Sequence, residues 1–75
     1  MSDEEHARRI VTIMKQAHLR SGEVMMLSAL LDEWQKPQDA HPEDLLSGLD
    51  FARRQIWIER AGDHAVRLTA NGSVI

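Results

Sequence analysis

Four histidines are the residues of this chain best suited by type to metal or acid–base chemistry. Their spacing argues against it. His6, His18, His41 and His64 fall in four different segments, and none stands three or four residues from another, as ligands sharing one helical face must. There is no cysteine, so neither a thiolate zinc site nor a disulfide framework is possible. The carboxylates lie at helix starts and on exposed faces. Ser28 and Ser47 lack the strand-to-helix turn that exposes a serine nucleophile. Gly22, Gly48, Gly62 and Gly72 are isolated, whereas a phosphate-cradling loop needs clustered glycines. The expectation is a protein that is not an enzyme, with no catalytic residue, metal or cofactor. The remaining chemistry is charge and surface: Arg53, Arg54, Arg60, Arg67 and His64, gathered in the second half beside Ser47 and Phe51, could meet a phosphate backbone or a protein.

The overall balance does not favour nucleic acid. Nine Lys and Arg against twelve Asp and Glu give a net charge of −3, and the acid excess is spread over both halves. The first residues, MSDEEHARR, precede no long apolar run, so no secretory signal is expected. No stretch approaches the roughly 18 to 20 apolar residues of a membrane span, so no membrane contact is expected either. A reducing cytoplasm fits a cysteine-free chain. Seventy-five residues leave room for a single domain, residues 1–75, with one modest core.

The elements that must position these groups can be read from the pattern. Ser2 and Glu5 have the spacing of a capping box, which predicts a helix from about Asp3. Ala7, Ile10, Val11, Met14 and Ala17 give that helix an apolar stripe to about Leu19, with Glu4–Arg8 and Glu5–Arg9 as supporting pairs and Gly22 as the stop. Glu23 to Met26 fits either the first turn of the next helix or a brief extended piece, and the extended piece is favoured. Leu27, Leu30, Leu31 and Trp34 predict a second helix from about Met26 or Leu27 through Gln35, closed by Lys36 and Pro37. Met25 and Met26 are read as core, as are Trp34 and Trp57, whose indole N–H groups are expected at the surface. Lys36 to His41 is the turn to the next helix.

Pro42 suits a first helical position, Glu43 and Asp44 complement the positive end of the helix dipole, and Arg53 and Arg54 complement the negative end. Leu45, Leu46, Leu49, Ala52 and Ile56 supply the inward stripe of this helix, Pro42 to Gln55. Ile56, Trp57 and Ile58 begin a strand, Ala61 to His64 form a hairpin tip around Gly62 and Asp63, and Ala65 to Thr69 alternates as the return strand. Asn71 and Gly72 mark a closing turn.

The run IER, a short turn, VRLT, two residues and Gly resembles the wing hairpin of bacterial winged-helix proteins, where an LTxxG step ends the second strand. The likeness covers roughly Leu45 to Gly72 and concerns architecture. It departs where such domains place Gly before the first wing strand; here that position is Ile56, which predicts a looser or wider corner. The resemblance implies an α+β fold, a three-helix winged helix-turn-helix with a C-terminal β-hairpin wing. It also implies a DNA-associated module of transcription regulation.

The outward face of the third helix argues the other way. With the stripe inward, Glu43, Asp44, Ser47, Asp50, Phe51 and Arg54 point out. Base edges and phosphates demand donors, and the leading carboxylates would meet phosphates with like charge. Phe51 either packs on the second helix or stands as an exposed aromatic suited to a protein contact. Two functions therefore follow: a DNA-associated regulatory module with weak autonomous binding through the wing, or a protein-interaction module using the acidic, Phe51-bearing face.

Overall fold

The order of elements is α1 (Asp3–Gln16), β1 (Val24–Met26), α2 (Leu27–Trp34), α3 (Pro42–Arg54), β2 (Ile58–Arg60), β3 (Ala65–Leu68) and α4 (Ala70–Ser73). The computed structural model describes residues 2–38 and 40–75, so Asp39 of the expected Lys36–His41 turn lies outside the described residues. The architecture is α+β: helices packed on a small antiparallel sheet of three strands in the order β1-β3-β2.

Ser2 caps α1 by accepting the Glu5 N–H at 3.2 Å. The helix ends at Gln16, three residues before Leu19, because His18 takes the left-handed conformation at φ 64°. The His18 N–H donates to the Lys15 carbonyl at 2.9 Å and the Leu19 N–H to Met14 at 3.1 Å, the paired bonds of a Schellman cap. The stop was expected at Gly22, since the left-handed conformation disfavours any side chain; Gly22, at φ 90°, instead turns the chain into β1. Glu4 pairs with Arg8 as expected, at 3.4 Å. Arg9 does not serve Glu5: its guanidinium donates to the Trp34 carbonyl at 2.9 Å and lies over the Trp34 ring at 4.2 Å, fastening α1 to the end of α2.

The extended piece before α2 is a true strand, pairing Val24 with Arg67 and Met26 with Ala65. Met25 is buried beneath it, but Met26 is exposed, contrary to its reading as core. The hairpin pairs Ile58 with Leu68 and Arg60 with Val66, as the two flanking apolar runs require. Asn71 and Gly72 lie in the single turn α4, capped by the Thr69 hydroxyl, which accepts the Gly72 N–H at 3.1 Å.

The core joins Ala7, Ile10, Val11 and Met14 of α1 to Leu30, Trp34, Leu45, Ala52, Ile58 and Leu68. Trp34 is 1% exposed, and its indole N–H donates to the His41 carbonyl at 2.9 Å rather than reaching the surface. Trp57 is only half-buried. Among the described residues no helix is long and apolar enough to cross a membrane.

Candidate interaction face

The third helix is turned from its expected orientation, and Gly48 is the reason. A Cβ at position 48 would sit 2.9 Å from the backbone and Cβ of His6 and from Ile10 Cδ1, so the bare backbone lets α3 lie directly on α1. The buried line is therefore Leu45, Gly48 and Ala52. Leu46 falls outside it and is 67% exposed, which corrects its assignment to the core stripe. A glycine contributes nothing to an apolar count, so the pattern of side chains pointed to the wrong centre for the face.

Ile56 also leaves the stripe. The helix has already ended in a second Schellman cap, with the Ile56 N–H donating to Arg53 at 3.0 Å and the Trp57 N–H to Ala52 at 2.9 Å. Ile56 occupies the left-handed position at φ 59° and is 59% exposed. The strand starts two residues later, at Ile58. The corner is tight, not loose. A β-branched residue holds the conformation ordinarily left to glycine, because the Thr69 hydroxyl and backbone N–H bind the Ile56 and Trp57 carbonyls from the far side.

Phe51 is a further correction. It is half-buried and meets the Trp57 ring edge-on, with centroids 5.7 Å apart, while Arg8 covers the same indole at 5.4 Å. It belongs to the junction between α3 and the hairpin, and Asp44, half-buried toward α1, likewise leaves the outward face.

An open groove of about 260 Å³ runs between α3 and the hairpin. Leu27, Leu46, Leu49 and Val66 form its apolar walls, and Asp50, Arg53, Arg60 and Asp63 its charged rim. Of the arginines singled out in the sequence, Arg53 and Arg60 meet here. The others are committed nearby: Arg54 pairs with Asp50 at 2.7 Å, and Arg67 with Glu59 across the hairpin at 3.5 Å. Arg60 itself holds Asp63 at 3.2 Å and the Gly62 carbonyl at 3.1 Å. Arg53 has no carboxylate within ion-pairing distance among the described residues. Ser47 is exposed on α3, its hydroxyl donating back to the Glu43 carbonyl at 3.3 Å. His64 is exposed at the hairpin end; its carbonyl accepts the first N–H of α2, from Leu27, at 2.8 Å.

One further site escaped the sequence reading. His6 is 6% exposed between α1 and α3, and neither ring nitrogen has a hydrogen-bond partner among the described residues. Asp44 Oδ2 approaches Nε2 to 3.8 Å, and the Trp34 ring stands edge-on at 6.0 Å. The hint available was position: His6 precedes Ala7 and Ile10 on the buried arc.

No protein-family model, no curated protein and no solved structure matches this chain.

Proposed function

We propose that the chain is a winged-helix-type module whose α3 and hairpin form a protein-binding face. The architecture part of the reading is supported by the strand ahead of α2 and by the hairpin after α3, with a three-stranded sheet centred on β3. These are the additions that distinguish a winged helix from a plain three-helix unit. The one-turn α4 and the polar interval between α2 and α3 are features of this chain.

The choice of protein over DNA rests on one observation: three of the four arginines at the end of α3 and on the hairpin are answered from within the chain. Arg54, Arg60 and Arg67 each face a carboxylate 2.7 to 3.5 Å away, while exposed Leu46 stands at the groove that Arg60 borders. A phosphate would have to displace those carboxylates, and Glu43 at the front of α3 would repel it. An apolar side chain entering beside Leu46 and Leu49 releases water at little electrostatic cost.

The test is an NMR titration of labelled protein with a generic DNA duplex at low and moderate salt. The expected result is no saturating shift at moderate salt. Tight binding with amide shifts concentrated at Glu43 to Ser47 overturns the reading. A second reading, a DNA-associated regulatory module of weak autonomous affinity, draws on Arg53, a groove cation with no ion-pair partner among the described residues, lying with Arg60 on one groove. It expects shifts at low salt confined to Arg53, Arg54, Arg60 and Arg67, with a shallow salt slope of about −2 to −4, each contact contributing about −0.9.

A further inference from the structure

We propose that the face of α3 binds a second copy of this chain, through two α3 helices packed antiparallel about a two-fold axis. The proposal rests on the protein-contact reading above and names its partner.

The helix is polar in charge along its length, with Glu43 and Asp44 in its first turn and Arg53 and Arg54 in its last. Glu43, Leu46, Asp50 and Arg53 recur at helical spacing and are all exposed, so they share one stripe. Asp50 is held by Arg54, but Glu43 and Arg53, the two ends of the stripe, have no ion-pair partner among the described residues. An antiparallel copy supplies both: Glu43 of each chain faces Arg53 of the other, and the helix dipoles oppose favourably.

The apolar part of the stripe asks for the same register. Leu46, Leu49, Asp50 and Arg53 line the groove, and residues at i, i+3, i+4 and i+7 bound the hole that receives a knob from a facing helix. Leu46 is the exposed knob. Seating Leu46 of one copy midway between Leu49 and Asp50 of the other places Glu43 beside Arg53 without further adjustment. An isologous contact needs this agreement, since one patch must complement itself. One helix and a hairpin edge bury less than a standard interface, so the dimer is a weak, reversible one.

The experiment is sedimentation equilibrium, with NMR diffusion as a second measure, on the parent, Glu43→Arg, Arg53→Glu and an equimolar mixture of the two variants. All the changed residues are exposed, and circular dichroism checks that each variant is folded. The parent is expected to rise toward twice the monomer mass with concentration. Each variant alone turns both cross-contacts repulsive and is expected to associate at least about tenfold more weakly. The mixture restores opposite charges at both contacts and regains association. Leu46→Asp, which removes the knob, is also expected to be monomeric. A parent that stays monomeric into the submillimolar range, or single variants that associate as the parent does, overturns the second copy as partner. With DNA silent, such a result leaves the protein-contact reading standing; saturating DNA shifts at Glu43 to Ser47 would remove both.

Discussion

Gly72 lies against the backbone carbonyl of Trp57 so closely that a Cβ at position 72 would overlap the oxygen. The contact explains why Leu68, Thr69 and Gly72 stand at their spacing. Leu68 ends the central strand inside the core, Thr69 caps the next turn and donates its hydroxyl to the Ile56 carbonyl, and Gly72 closes the turn onto the start of the hairpin. The step is a clasp between the end of the sheet and the corner leaving α3.

Breaking the clasp has a cost that depends on which half is touched. Gly72→Ala forces backbone against backbone, which no rotamer change relieves, and should cost about 3 kcal/mol, the upper range for overpacking. Thr69→Val keeps the volume but removes the cap and the bond to Ile56, for about 1 to 2 kcal/mol. Urea unfolding of the two variants should preserve that order. A Gly72→Ala protein as stable as the parent would show that the closing turn is not packed on Trp57.

Ile56 makes the opposite prediction. The left-handed conformation costs a residue with a Cβ roughly 1 to 2 kcal/mol, and this side chain is more exposed than buried. Glycine removes the strain but loses about 0.5 to 1 kcal/mol through unfolded-chain entropy. Ile56→Gly should therefore stabilise by up to about 1 kcal/mol, a rise in melting temperature of roughly 4 to 8 °C in a domain of this size. A lower melting temperature would mean that packing of the isoleucine side chain outweighs its backbone strain.

These two corners also show where the chain was legible. α1, α3 and the hairpin carry strong periodic patterns, and their existence and order follow from residue type. Their ends do not, because His18 and Ile56 adopt a conformation their types disfavour and are held there by Schellman bonds and, at Ile56, by Thr69 across the corner. The rotation of α3 was hidden for a different reason: Gly48 is central to the buried face through close approach, which hydrophobicity does not register. The arginines were legible as a group, but their carboxylates were not. Glu59 reaches Arg67 only because the hairpin register places them opposite each other, and Asp63 reaches Arg60 only because the tip folds back.

The two tryptophans should separate on mutation. Trp34 is fully buried and uses its indole N–H, so Trp34→Ala should cost about 3 to 5 kcal/mol, enough to unfold a domain whose total stability is of that order. Trp34→Phe retains much of the ring but leaves the His41 carbonyl without its donor, for about 1 to 3 kcal/mol. Trp57→Ala, which strips a half-buried ring from between Phe51 and Arg8, should fall below Trp34→Ala. Thermal melts of the three rank them, and a Trp57→Ala protein less stable than Trp34→Ala would move the centre of the core to the hairpin junction.

His6 gives the last prediction. Its ring is buried where α1 meets α3 with neither nitrogen hydrogen-bonded among the described residues, and a buried polar group without a partner costs roughly 1 to 3 kcal/mol of desolvation. Asp44 stands at 3.8 Å, near enough for attraction to a charged ring but beyond a hydrogen bond. Replacing the ring by an apolar side chain removes that penalty and keeps the contacts with Gly48 and Trp34. His6→Leu should then leave stability unchanged or raise it by about 1 kcal/mol at neutral pH. His6→Ala should lower it, because the volume between α1 and α3 is emptied. Chemical denaturation of both variants, with Asp44→Asn as control, reads the difference. If His6→Leu is as destabilised as His6→Ala, the imidazole is satisfied after all, and the His6–Asp44 pair is a fastening between α1 and α3 rather than a buried cost.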